Sequence, residues 1–524
     1  MPEEKKNFLD EMYKSLRVHD KEILEHFESQ ELSDQEYLFY AISSDIISNT
    51  INVLMALETN NLESFGVDNS CRTIIEAFVV LRMISEGDIS DEQAKIFRYH
   101  YAIVDYYNMR KFIDEDVKAH DDFKYVQKDR EKAYEAIMKF HNCSFQDLKK
   151  DPDFDDSNFY LKKKLRQKIN FATLLKKYPV FNVNASKMYQ VFSICVHPRF
   201  EMDDNVEATI NNVRKEYIFE VLKIVKNFMN ETKLFVSDDY LKTFRQEFYE
   251  NPALVGNVGN ITDFHVFFES IRRKTCYFEN GYDAFSIFFY RKIEQVLIDM
   301  EVSMTFGYKE HIISLFKSVM EYIAIYVAIC ETESIDEFKK LKLAYCYSSR
   351  LQLDNIFQDA EHGHFIRDAI DTPLKTLFDE YYKEKYGINE YEVFREKMAK
   401  DGRFFLLKDE SSFNHIVNHV IDDLYDDETI RNYTKMIYKI SKDMNHGGGY
   451  AFNASPGLVD SQCRHVQNFI FRFMLDKLAR QEEVLRAHGI SVNLTIEKKF
   501  FEVCSGLEIV ALEKVVEEYN KKPN

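Results

Sequence analysis

The chain has 524 residues, of which only 8 are proline and 15 are glycine, against typical shares of about 5% and 7%. With 45% hydrophobic and 30% charged residues, it can bury apolar cores beneath a charged surface, which excludes a disordered or collagen-like chain and disfavours a turn-rich β-sandwich. The formal net charge of −19 repels a phosphate backbone, so we do not expect nonspecific DNA binding.

The sequence favours a cytoplasmic protein without a cofactor. Its N-terminal segment, MPEEKKNFLDEMYKSL, is charged where an export signal needs an apolar run, and the most apolar later stretch is interrupted at Glu321. We therefore expect neither a signal peptide nor a membrane span. The 8 cysteines form no C-x-x-C pair, which indicates reduced thiols rather than a zinc knuckle or a disulfide framework.

Apolar residues recur at spacings of three and four along most of the chain. Between positions 37 and 57, Leu38, Ile42 and Ile46 share one side, which predicts a helix, and Ser33-x-x-Glu36 before it predicts a capping box. The same periodicity predicts helices at about 70–85, 92–118, 124–141, 160–178, 184–197, 206–232, 283–305, 309–331, 337–357, 373–386, 428–445 and 459–487. We expect an all-α protein of stacked antiparallel bundles.

The clearest break in this pattern is Asn251–Thr262, NPALVGNVGNIT, which holds a proline and two glycines. We expect a first helical bundle at 1–250, a connection at 251–280, a second bundle at 281–490 and a C-terminal extension at 491–524. The extension combines a strand-like start with a final amphipathic helix.

The two halves contain similar motifs in the same order. The corresponding residues are Arg72 and Lys317, Glu76 and Glu321, Tyr189 and Tyr438, and His197 and His446. The first two pairs are separated by 245 positions and the last two by 249. A constant order at nearly constant separation predicts a duplicated helical module whose copies pack about a pseudo-twofold axis.

Each copy places a cation and a glutamate four residues apart, on one face of an otherwise apolar helix. Such charges must be paired if they are buried, because an isolated charge is costly there. Two interpretations stay open. The pairs Arg72–Glu76 and Lys317–Glu321 fix the register of the bundle, or they are catalytic, with the cation holding an anionic or carbonyl group and the glutamate acting as acid, base or acceptor.

A histidine ends the second helix of each motif. His197 is followed by Pro198, and His446 by Gly447, and a protonated histidine at a helix C-terminus is stabilised by the helix dipole. Alternatively, each histidine faces the charged pair and acts as a general acid or base. The substrate-binding candidates on or just after these helices are Tyr189, Ser193, Arg199, Tyr438 and Lys442.

Two other features have simpler explanations. Asp91 and Asp336 follow capping boxes at the start of predicted helices, so we assign them to capping. His415 and His419 share one helix face in a spacing compatible with a metal, but they lack the H-E-x-x-H motif. We expect a solvated or packed pair there rather than a metal site, and a metal-dependent enzyme at His415 and His419 is the alternative.

The one dense basic stretch is Lys162–Lys168, continued by two lysines at 176 and 177. It is either a solvated helix face or a strip that contacts the phosphates of RNA or of a nucleotide. The sequence contains no P-loop, G-x-G-x-x-G, G-x-S-x-G or kinase motif.

The order of these motifs resembles a bacterial family of helical domains of unknown function, numbered 5677, which is similar in style to HEPN-type and abortive-infection proteins. The matching residues are Arg72, Glu76, Ser193 and His197 in the first half and Glu321 and His446 in the second, with Lys317 in place of arginine. The resemblance implies helical bundles and a defence or toxin role. HEPN ribonucleases carry R-x4-6-H, and no arginine in this chain precedes a histidine at that spacing.

Two functions of different classes are therefore predicted. The first is a bacterial antiviral defence or toxin-like hydrolase that acts on RNA or a nucleotide through histidine acid–base chemistry. The second is a non-catalytic helical scaffold or sensor, which binds a protein partner or a second copy of itself.

Overall fold

The computed structural model describes residues 32–58, 61–112, 121–149, 171–178, 185–196, 204–231, 252–275, 282–306, 309–330, 335–357, 371–400, 413–444, 456–487 and 491–505, and three isolated positions before residue 32. Within these ranges the chain forms helices and no strand. These helices confirm the predicted all-α class. The apolar spacing of three and four explains them, because it gives each helix an apolar face.

The helices of the first half are α1 (Asp34–Glu58), α2 (Phe65–Ser85), α3 (Asp91–Phe112), α4 (Asp121–His141), α5 (Phe145–Lys149), α6 (Phe171–Lys177), α7 (Ala185–Val196) and α8 (Asp204–Glu231).

The helices of the second half are α9 (Pro252–Thr275), α10 (Tyr282–Phe306), α11 (Lys309–Cys330), α12 (Ile335–Phe357), α13 (Asp371–Leu377, continued by a π-helical turn at Phe378–Tyr382 and by Lys383–Tyr386), α14 (Tyr391–Lys400), α15 (Phe413–Leu424), α16 (Glu428–Met444), α17 (Pro456–Ala487) and α18 (Thr495–Cys504).

Local side chains explain where several of these helices begin. Before α1, the Ser33 backbone N–H donates to Glu36 at 2.9 Å, and the Glu36 N–H donates to the Ser33 hydroxyl at 3.3 Å. The reciprocal bonds between Ser90 and Gln93 start α3 in the same way. The predicted capping boxes before α1 and α3 are therefore present, and each satisfies two backbone N–H groups that the first helical turn leaves without a partner. The third predicted box, before Asp336, begins at residue 334, outside the described residues.

Two predictions about chain breaks are wrong. The predicted break at 251–262 is contradicted over residues 252–262, because α9 begins at Pro252 and continues through both glycines; proline is compatible with the first helical position, where the N–H has no partner. The domain bounds placed there stay a prediction. The strand-like start of the C-terminal extension is also wrong, since residues 491–494 lack regular structure and Thr495 begins α18.

Helix α11 is central to the packing. It lies against α10, α15, α16 and α17, and it also contacts α2 of the first half, where the rings of Phe65 and Tyr322 meet edge to face at 5.4 Å. Its segment His311–Cys330 is long and apolar enough to cross a membrane, but 89% of that window is buried inside the protein. This apolarity is therefore accounted for by its place in the core.

Three apolar clusters hold the helices together, and each includes side chains from both halves. The largest is built mainly from α9–α11 and α15–α18 but includes Phe65 and Tyr101. The second is built from the first half and includes Val302. The third includes Val191 of α7 and Leu377 of α13. The division into two bundles stays a prediction, and the described helices of the two halves share continuous cores.

A buried polar joint connects the turn before α2 to α10. Asn61 Nδ2 donates to Asp299 Oδ1 at 2.6 Å, and the Ser64 hydroxyl donates to the other oxygen of Asp299. Gly66 packs so closely that an added Cβ would lie 2.5 Å from Asp299 Oδ2 and 2.9 Å from His311 Nε2. Burial raises the pKa of Asp299 well above its usual value and lowers the pKa of His311 to about 4.

Candidate functional site

The first predicted charged pair forms as expected from its spacing. Arg72 Nε donates to Glu76 Oε1 at 3.0 Å on α2, a helix whose residues are buried almost throughout. Only 5% of Arg72 and 2% of Glu76 is exposed. The two charges therefore compensate one another in a place where either one alone would be costly.

Helix α7 adds a tyrosine to this pair. The Tyr189 hydroxyl donates to Glu76 Oε1 at 2.9 Å, and the centre of its ring lies 5.8 Å from Arg72 Cζ. Burial and the negative charge of Glu76 raise the pKa of Tyr189, so the phenol stays protonated and donates its hydrogen bond at neutral pH. The structure thus brings Arg72, Glu76 and Tyr189 together.

The arginine stays charged in this setting. Burial by itself lowers the pKa of Arg72, but the neighbouring Glu76 and Tyr189 more than offset that effect and leave it raised. A permanent cation and a carboxylate acceptor therefore lie at the α2–α7 contact. If a ligand reaches this group, the cation can bind an anion. If none does, the hydrogen bonds fix the register of the two helices.

The rest of the predicted first site is only partly described. Ser193 lies one turn beyond Tyr189 on α7 and is half-buried. Helix α7 ends at Val196, so His197 and Arg199 lie outside the described residues. Their predicted roles are not tested by the geometry of the pair.

Asp45 is the residue that the sequence reasoning missed. It lies on α1, which packs against α2, and its Oδ1 accepts a hydrogen bond of 2.9 Å from Asn49 Nδ2. Its Oδ2 is enclosed and has no hydrogen-bond partner among the described residues. Burial raises the pKa of Asp45 to about 7; the Asn49 bond opposes this shift, and the charge of Glu76 adds to it. An Asp-x3-Asn pair in an apolar helical stripe could have signalled it.

The second charged pair is looser than the first. Lys317 Nζ lies 3.9 Å from Glu321 Oε1 on α11. The exposed fraction is 7% for Lys317 and 5% for Glu321. The longer separation is consistent with an ammonium group, which lacks the planar donor fork of arginine.

Helix α16 packs against α11 as α7 packs against α2. On α16, Tyr438 is buried, and Lys442 Nζ lies 4.4 Å from the centre of its ring. The corresponding helix pairs therefore meet in both halves, while the duplication itself stays a prediction. His446 lies outside the described residues, which end at Met444 on α16.

Some of the other residues singled out from the sequence lie at the starts of helices, and others lie outside the described residues. Asp336 accepts a bond of 2.6 Å from Lys340 at the exposed start of α12, and Asp91 begins α3 behind the Ser90 capping box. The basic stretch 162–168 lies outside the described residues. Over the described ranges, no group of three or more histidine, cysteine, aspartate or glutamate side chains could hold a metal ion.

No protein family model, curated protein or solved structure matches this chain. The resemblance to the helical family of unknown function therefore stays a prediction.

Proposed function

We propose that this protein is a non-catalytic helical scaffold or sensor that acts by binding other proteins. The observation that carries the proposal is the enclosure of both charged pairs, in which each of the four side chains belongs to a residue no more than 7% exposed. An acid, base or anion-binding group has to touch its substrate, and groups enclosed to this degree are out of reach of a substrate in solution.

The charges of the first pair also have internal partners. Glu76 Oε1 accepts from both Arg72 and Tyr189, so the network links α2 to α7. A hydrogen-bonded network of this kind favours one helix register over others, because any slip leaves a buried charge uncompensated. Register selection is a sufficient role for these residues in a scaffold.

A paired substitution tests this role. In Arg72→Met with Glu76→Leu, an apolar pair replaces an ion pair of similar volume, and the Tyr189 hydroxyl loses its acceptor, so we expect a cost of only about 1 kcal/mol. Arg72→Met alone leaves the Glu76 charge buried, and we expect it to cost about 3–5 kcal/mol of unfolding free energy. Urea unfolding followed by circular dichroism measures both, and Tyr189→Phe is the milder control, at about 1 kcal/mol.

The double change His197→Ala with His446→Ala tests the absence of catalysis. For a scaffold we expect no change in host growth on expression or in the integrity of RNA incubated with the purified protein. If the wild type cleaves RNA and this variant does not, while both melt at the same temperature, the scaffold proposal is wrong.

A cytoplasmic defence or toxin-like hydrolase acting on RNA or a nucleotide is the second candidate, and Asp45 favours it. The pKa of Asp45 is raised to about 7 by burial and by the charge of Glu76, and a carboxyl group with a pKa near the operating pH suits acid–base catalysis. In this alternative Asp45 or His197 moves the proton, and Arg72 stabilises phosphoryl charge.

Asp45→Asn distinguishes the two candidates, because it keeps the shape of the side chain and removes its proton chemistry. The hydrolase requires a large loss of any cleavage activity in this variant. The scaffold requires that binding to its protein partner stay unchanged.

A further inference from the structure

Two histidines lie side by side on the surface of α15. His415 and His419 are both exposed, and the centres of their rings are 5.2 Å apart with the planes at 89°. The opposite face of the helix is anchored in the largest core by Val417, Val420 and Ile421. The packing therefore holds the backbone of the pair in place and turns both imidazoles toward solvent.

We propose that His415 and His419 form a surface binding site for a divalent late first-row transition ion such as Zn²⁺ or Ni²⁺. Zinc binds imidazole nitrogen at about 2.0–2.1 Å and takes a tetrahedral arrangement of ligands. When two imidazoles bind one such ion, their ring centres are therefore about 5 Å apart. The observed separation already matches that value. Only rotations of two exposed side chains are needed, and the helix stays as it is.

The charges near the pair favour a cation. Asp423 lies one turn beyond His419, and Asp426 and Asp427 follow at the end of the helix, all of them exposed. Asp422 is already paired with Lys435 at 2.6 Å. The net charge of −19 adds a long-range attraction for a divalent ion at low ionic strength.

Two imidazoles also define the kind of ion. Nitrogen ligands suit zinc, nickel and copper, whereas magnesium prefers oxygen ligands and keeps its water. Since no third histidine, cysteine or carboxylate completes a metal group among the described residues, the bound ion keeps water at its other positions and exchanges readily. Binding needs unprotonated imidazoles and weakens as the pH falls.

The experiment is a titration of the full-length, untagged protein with Zn²⁺ and with Ni²⁺ by isothermal calorimetry, in excess Mg²⁺. His415→Ala and His419→Ala each remove one ligand, and we expect each to weaken one binding event by about tenfold or more. His265→Ala is the matched control, because that imidazole is 68% exposed on α9 and contacts the Glu294 carboxylate, at 2.8 Å, rather than a second imidazole among the described residues.

Loss of the same binding event in both pair variants, with wild-type binding in His265→Ala, supports the site. The proposal is overturned if the wild type binds neither ion in excess Mg²⁺, or if either pair variant binds as the wild type does. Circular dichroism of the variants checks that they fold, which we expect because both side chains are exposed.

Discussion

Several buried charges among the described residues lie in networks that bridge helices. Arg214 of α8 donates to both oxygens of Asp68 on α2, at 2.8 and 2.7 Å, much as Arg72 is held by Glu76. Bidentate or shared bonds of this kind offset the cost of burial only while every partner is present. Asp45 differs, because its carboxylate accepts a hydrogen bond from the neutral amide of Asn49.

Asp45 should make stability depend on pH. Its pKa is raised from the ordinary value to about 7 in the folded protein, so its protonated form stabilises the fold fully below about pH 4, and this contribution is lost as the pH rises through 7. The expected loss is about 2–4 kcal/mol. Asp45→Asn should remove this dependence and leave a protein more stable than the wild type above pH 7.

Urea unfolding between pH 5 and 8.5 measures the effect. Asp129→Asn is the matched control, because Asp129 is a buried carboxylate that accepts bonds from Tyr101 and Lys132, so this variant should keep the wild-type pH dependence. An Asp45→Asn protein with the wild-type slope would show that Asp45 is ionised in the fold.

At the scale of elements, the contact between α2 and α10 depends on the absence of a side chain at Gly66. An added methyl group at this position meets Asp299 and His311 at once, and both belong to the buried joint. The close approach is what allows the Ser64 cap to serve α2 and to donate to Asp299. The Ser64 hydroxyl thus both caps the start of α2 and joins α2 to α10.

Gly66→Ala should destabilise the protein by about 1–3 kcal/mol through overpacking, even though alanine favours helix by about 1 kcal/mol over glycine. Gly87→Ala is the control: its added methyl group meets nothing within 4 Å, and only its positive φ of 73° is unfavourable, by about 1–2 kcal/mol. Thermal melts compare the two. A stabilised Gly66→Ala protein would mean that α2 shifts freely at the joint.

At the scale of the whole molecule, the C-terminal helix completes the largest core. Phe500 of α18 stacks on Phe267 of α9 at 4.0 Å, and the fully buried Glu497 accepts bonds from Ser270 at 2.6 Å and Lys274 at 2.5 Å. The same cluster includes Phe65 from the first half. Changes in α18 are therefore expected to reach the first half through shared apolar contacts.

Phe500→Ala should cost about 3–5 kcal/mol, because it leaves a cavity in this core. We expect the described helices of both halves to lose protection together, as measured by hydrogen exchange with mass spectrometry. Val503→Ala, at a half-buried position of the same helix, should have a smaller effect. Loss of protection confined to α9 and α18 would contradict a shared core.

Much of the local structure could be predicted, because its causes act within a few residues. The spacing of Leu38, Ile42 and Ile46 predicted α1, and Ser33 and Glu36 predicted its start. The four-residue spacing of Arg72 and Glu76 predicted their pairing. Helix α9 could not be predicted, because the glycines and the proline near its start have low helix propensity and indicate a break. In the folded protein α9 packs against α10, and this contact stabilises the helix despite its sequence.

The helical class, the caps and the charged pair on α2 follow from the amino-acid sequence alone, because helix periodicity and side-chain caps depend on near neighbours. Contacts between distant segments bring Tyr189 to Glu76 across 113 positions, enclose one carboxylate oxygen of Asp45, and leave His415 and His419 facing solvent. Burial and proton affinity depend on which helix faces meet, and that is a property of contacts between residues distant in the chain.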